Sequence, residues 1–246
     1  MSIGLKVFFE ASSVLASYNL VLPNAISSEA SVIVDIEHPL LFAIYLYEKL
    51  HGRFERFRAV PPHIGGLVRS LALRKADVLH LNSLNIELAK QAKKLGKHVI
   101  MVLHAAPFPE KSYYVINDYI DVYVAPSYFT RQNEEEKMGS KEVVVIHHGV
   151  DTALFNTSIA REEARRKIGI SLNAKVVLWN DRISPEKDLE TFVRAAQYVL
   201  NEVKEAYVYI KGRAVVNSYY EKIKGSLKSL SKSGKVKIHI GWIPQS

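Results

Sequence analysis

The sequence predicts an α/β protein built on Rossmann-like, doubly wound parallel sheets. The prediction rests on apolar runs too continuous for half-exposed strands, on segments of helical period between them, and on glycine or proline at the joints. Nine such runs recur along the 246 residues, at 5–9, 31–36, 77–81, 98–103, 121–125, 142–146, 175–179, 206–210 and 235–240. They are rich in Val and Ile and do not alternate cleanly with polar residues. That is the pattern of strands buried on both faces, as in a parallel sheet covered by helices on each side.

The intervening segments justify the helices. Residues 84–95 space apolar side chains at helical intervals and stop at Gly96, a residue that readily takes the left-handed capping conformation. Residues 129–138 likewise end before Gly139. Residues 188–203 follow Ser184-Pro185-Glu186, where Ser can cap a helix and Pro can occupy its first position. Residues 37–74, with Pro39, Pro61, Pro62 and Gly65-Gly66, are the least regular stretch and predict a long loop near the ligand cleft. Alternation of strand and helix gives right-handed crossovers. The best linker, 149–158, divides an N-terminal domain at 1–158 from a C-terminal segment at 159–246.

Composition narrows the chemistry. The chain is 48% hydrophobic and 24% charged, which is that of a folded soluble protein. It has no Cys, which excludes disulfides, thiolate nucleophiles and Cys-based zinc sites. No signal-peptide pattern opens the sequence, and the apolar residues 40–47 are too few to cross a bilayer, so a cytoplasmic protein is expected. Residues 1–160 hold 16 Lys and Arg against 16 Asp and Glu; the whole excess of +8 lies in 161–246, with 17 against 9. A basic segment attracts phosphate, nucleic acid or anionic membrane alike, so the sign alone does not choose among them. A solvated Lys-rich surface is the blander account.

Four ordered segments carry the candidate chemistry. Asp77-Val78-Leu79-His80-Leu81-Asn82 and Gly96-Lys97-His98-Val99-Ile100-Met101-Val102-Leu103-His104 are strands with polar ends. Asp121-Val122-Tyr123-Val124-Ala125-Pro126-Ser127 leads into a helix, and Val145-Ile146-His147-His148-Gly149-Val150-Asp151 follows, with Phe155 beyond. The fourth runs from Val176 through Asn180-Asp181-Arg182-Ile183-Ser184-Pro185-Glu186-Lys187-Asp188. Ligands of open α/β sheets gather beyond the carboxyl ends of strands, where His80, Asn82, His104 and Ser127 all fall. In the fourth segment a turn presents Arg182, and Lys187 opens a helix whose free N–H groups also favour an anion. Phosphate is the natural guest, and ordinary surface cations are the alternative.

Together the four segments resemble glycosyltransferase family 4 and its relatives of GT-B architecture. Asn82 stands where the family often has the second His of a His-x-His, His148 where Asn is usual, and Asp181 and Asp188 where glycines flank the Arg and Lys. The resemblance implies hexosyl transfer from a nucleotide-diphosphate sugar to an unidentified acceptor such as a glycan or lipid. It implies His104 as the catalytic residue, Arg182 and Lys187 as the donor-phosphate grip, and His80, Asn82, Ser127, His148, Gly149 and Asp151 as cleft or acceptor contacts. No cofactor, metal or nucleic-acid partner is expected: His147 and His148 are adjacent, so on an extended strand they point apart.

The sequence stops at Ser246, where the resembling family reaches its third donor-domain strand. The expectation is therefore a complete N-terminal domain and a C-terminal domain truncated before its acidic pair and Gly-rich turn. A second chain completing that domain, or a non-catalytic sugar-binding or scaffold subunit, stays open beside the transferase. So does a nucleotide-sugar epimerase on the same architecture. Arg53-Phe54-Glu55-Arg56-Phe57-Arg58 interleaves cations with aromatics and would suit peripheral contact with a lipid surface, or a helix with Phe54 and Phe57 in the core.

Overall fold

A computed structural model describes residues 4–11, 22–36, 39–50, 52, 58–60, 66–104, 115–150, 152, 155 and 158–241. The segment Arg53 to Phe57, with most of the predicted cation–aromatic run, and Asp151 lie outside the described residues. The chain divides into two compact units, Met1–Phe155 and Asn156–Ser246.

The first unit contains β1 (Lys6–Ala11), α1 (Leu22–Ile26), β2 (Ser31–Ile36), α2 (Pro39–Leu50), β3 (Arg58–Val60), α3 (Gly66–Lys75), β4 (Val78–Leu81), α4 (Ile86–Lys94), β5 (His98–Val102), β6 (Val122–Ala125), α5 (Tyr128–Glu134) and β7 (Glu142–Val145). Its sheet runs β3-β2-β1-β4-β5-β6-β7, and every pair is parallel. Consecutive residues of β1 explain the continuous apolar run. Phe8 points into one core with Leu79, Leu81, Val99 and Met101, while Phe9 points to the other face with Val34, Ile36 and Tyr45. Both phenylalanines are fully buried, so the sheet is covered on both sides as predicted.

Helix α4 ends where the sequence said it would, Gly96 taking φ 69° beyond its last turn. The stretch 37–74 departs from the predicted long loop: among its described residues are α2, β3 and α3. Pro39 opens α2, a position that needs no N–H partner.

The second unit contains α6 (Arg161–Ile168), β8 (Lys175–Ile183), α7 (Leu189–Glu202), β9 (Ala206–Ala214), α8 (Asn217–Ser231) and β10 (Val236–Ile240). Its described strands form a parallel sheet in the order β10-β9-β8. Leu189, Val193 and Ala196 of α7 and Ile223, Leu227 and Leu230 of α8 recur at helical spacing and close a core over Ile183, Val208 and Ile210. The cap of α7 differs from the prediction. Asp188, not Ser184, accepts the N–H of Thr191 at 3.2 Å, because a short 3₁₀ turn at Pro185–Lys187 intervenes and Ser184 turns its hydroxyl to Glu186.

Candidate functional site

The order of the first sheet reverses between β1 and β4, and in a doubly wound sheet the ligand crevice lies beyond the carboxyl ends of those strands. Glu10, on β1, is fully buried there. It is joined to the end of β4 at three points. The Asn82 N–H donates to Glu10 Oε2 at 2.9 Å, Ser83 Oγ donates to Glu10 Oε1 at 2.8 Å, and Asn82 Nδ2 donates to the Glu10 carbonyl at 2.5 Å. The other side-chain atom of Asn82, Oδ1, stands 3.1 Å from His104 Nε2 just beyond β5. The His104 ring stacks on His148, with centroids 5.5 Å apart and planes 15° from parallel. Glu10, Asn82, His104 and His148 therefore form one connected row.

His80 lies one residue earlier on β4 than Leu81 and on the opposite face of the sheet from it. Register pairs it with Phe9, and the two rings stack at 4.4 Å. Burial pushes the His80 imidazole down to about 4, with His104 adding to the shift. Burial likewise pushes His104 down to about 4, reinforced by the neighbouring His148. Both rings are thus neutral at physiological pH.

In the second unit the end of β8 presents both predicted phosphate ligands, already engaged by acids. Asp181 Oδ1 accepts the Arg182 N–H at 2.7 Å, and Asp181 Oδ2 lies 2.9 Å from Lys187 Nζ. Arg182 Nη2 lies 3.7 Å from Glu186 Oε1. Partial burial raises the Asp181 carboxyl, but the hydrogen bond from Lys187, the Arg182 N–H and the charges of both side chains outweigh it, leaving the group below its ordinary value. Asp188 has φ 45°, the positive-φ conformation that suits the glycine expected there, and is the sole non-glycine of that kind among the described residues.

Residues 34–154 match the family model described as Glycosyltransferase Family 4. The first unit belongs to glycosyltransferase family 4. YtcC of Bacillus subtilis (strain 168), named as a glycosyltransferase, is 26% identical over 151 residues, covering 55% of this chain. The match spans 37% of the YtcC length. Among solved structures, Anabaena Alr3699/HepE in complex with UDP and glucose superposes with a TM-score of 0.72 at 17% identity, over 97% of this chain and 70% of that one. A UDP-N-acetylglucosamine 2-epimerase from Listeria monocytogenes superposes at 0.59 and 11% identity, over 97% of this chain and 70% of that one. The fold is the Rossmann-like α/β fold of GT-B proteins.

In the family-4 unit the described geometry joins Asn82, His104 and His148 directly and sets His80 beside His104 electrostatically. Ser127 is at the next strand end, but its Oγ caps α5, accepting the Thr130 N–H at 3.1 Å. Gly149 is exposed, in open space beyond β7. His147 and His148 diverge: His147 Nδ1 lies 3.0 Å from the Pro126 carbonyl and its ring meets Tyr128 edge-on. Among the described residues no group of three His, Cys, Asp or Glu could hold a metal ion, and no helix is long and apolar enough to cross a membrane. Sequence reasoning passed over Glu10. Its signal was an acid inside the apolar run 6–11.

Proposed function

We propose that the chain serves hexosyl transfer from a nucleotide-diphosphate sugar to a hydroxyl of a glycan or lipid acceptor. In this reading the family-4 unit is the acceptor domain and residues 156–246 contribute to the donor domain. The observation that carries it is the row Glu10, Asn82 and His104 at the reversal point of a family-4 sheet. The bond from the sugar C1 to the diphosphate oxygen breaks, and the acceptor oxygen bonds to C1. Negative charge then grows on the leaving diphosphate, where Arg182 and Lys187 stabilise it without a metal ion, by about 1.5 to 3 kcal/mol for each charge-assisted contact.

His104, held down at about 4, is a weak base and is suited to orient the acceptor hydroxyl. The acceptor proton goes to the departing phosphate, whose second pKa of about 6 makes it the better base. Ser127, His148, Gly149 and Asp151 are assigned to the acceptor rim, and His80 to the buried layer beside His104.

One observation favours a second reading. Asp181, Glu186 and Asp188 outnumber Arg182 and Lys187 in the phosphate element, so a diphosphate has to displace Lys187 from Asp181. Such a site suits a non-catalytic sugar-binding subunit with weak donor affinity. A transfer assay on the full chain separates the two, and calorimetry with UDP and GDP tests the phosphate site that both share. Binding of either nucleotide, weakened at least tenfold in Arg182→Ala/Lys187→Ala, supports that site; equal affinity in the double variant overturns the phosphate assignment.

A further inference from the structure

We infer that Asn82, itself fixed by Glu10, is a positioning residue that holds His104 in its Nε2–H tautomer and so makes Nδ1 the ring's hydrogen-bond acceptor. This rests on the reading of His104 as an acceptor-site residue and specifies how that residue is set.

The Glu10 carbonyl, like any backbone carbonyl, can only accept a hydrogen bond. The Asn82 side-chain atom 2.5 Å from the Glu10 carbonyl must therefore be the amide nitrogen. That decides the orientation of the Asn82 amide. Turned over, the amide would set its oxygen against the Glu10 carbonyl; the segment itself is anchored, the Asn82 N–H on Glu10 Oε2 and the Ser83 hydroxyl on Glu10 Oε1. All of this lies in the interior: Glu10 is 0% and Asn82 7% exposed, so water does not compete for these atoms.

The amide oxygen is then the atom left facing His104 Nε2, at 3.1 Å. An amide oxygen carries no hydrogen, so the ring nitrogen must bring one. In the opposite tautomer two lone pairs would face each other in a buried place, the costly arrangement for polar groups. A neutral imidazole carries one ring proton, and with Nε2 holding it Nδ1 is the acceptor. The stack on His148 keeps the ring plane fixed while the Asn82 contact sets which edge faces inward. Whatever Nδ1 meets must be a donor, and a sugar or lipid hydroxyl is one.

The test is a long-range proton–nitrogen spectrum of the ¹⁵N-labelled full chain near neutral pH, with His104 assigned from the signals lost in His104→Gln. The inference expects a protonated Nε2 and an unprotonated Nδ1 in the wild type, and nitrogen shifts that converge as the tautomers mix in Asn82→Ala. A wild-type His104 protonated on Nδ1, or an even mixture, overturns it, and this needs no variant to fold. Unchanged shifts in a folded Asn82→Ala overturn it too. The functional reading fails separately: full transfer by His104→Ala would remove His104 from the substrate site and leave the tautomer assignment standing.

Discussion

Acidification should loosen the first unit through its buried imidazoles. His80 shifts from 6.5 to about 4 on folding. Between those values the unfolded chain binds the proton and the folded chain does not, so stability is full above the unfolded value, falls as pH drops, and levels off below about 4. At about 1.4 kcal/mol per pH unit the whole loss from His80 is about 3 kcal/mol, of which about 2 kcal/mol has gone by about pH 5. His104 shifts in the same direction and adds a smaller share, because it is partly open to solvent. Both tryptophans, Trp179 and Trp242, lie in the second unit, so their fluorescence does not follow this event. Hydrogen exchange of β4 and β5, corrected for the intrinsic pH dependence of exchange, does. Protection there should weaken between about pH 7.5 and about pH 5 by about 2 kcal/mol or more, and His80→Gln should remove most of that change. Equal protection at both pH values, or an undiminished loss in His80→Gln/His104→Gln, would refute the assignment of buried neutral rings.

Three further outcomes are expected in the second unit. Gly212 faces Asp181 across β8 and β9, and a Cβ there would come within 2.5 Å of the Asp181 carbonyl and 2.8 Å of the Trp179 ring. Gly212→Ala should cost about 1–3 kcal/mol, read from the urea midpoint of Trp fluorescence. Asp188→Ala removes the α7 cap and places a Cβ residue at φ 45° without its local hydrogen bond, a loss of about 1–2 kcal/mol by the same assay. Asp181→Asn frees Lys187 and removes a negative charge from the phosphate element, so UDP should bind about fivefold more tightly in calorimetry.

The sheets were legible because strands buried on both faces leave apolar runs that no surface helix or loop would carry. The stretch 37–74 was not. Residues of α2 are apolar on almost every side, so no helical period stands out, and β3 is only 3 residues long. The α7 cap is ambiguous in the sequence because Ser184 and Asp188 are both good caps, and only the intervening 3₁₀ turn chooses between them. At the site, strand-end positions pointed to Asn82 and His104. Their partner Glu10 stayed hidden, since it reaches Asn82 across 72 residues through the β1–β4 pairing. That pairing also gives sense to Asn82 where the resemblance expects His. The position requires one donor and one acceptor, and an amide supplies both as a neutral imidazole would.

The central claim, a donor diphosphate held at the end of β8, is tested most directly by titrating UDP into the ¹⁵N-labelled chain and following its backbone amides. The account predicts that Arg182, Lys187, Asp188 and the first turn of α7 move most, and that the movement vanishes in Arg182→Ala/Lys187→Ala. Shifts confined to other parts of the chain, or none at saturating UDP, would contradict it.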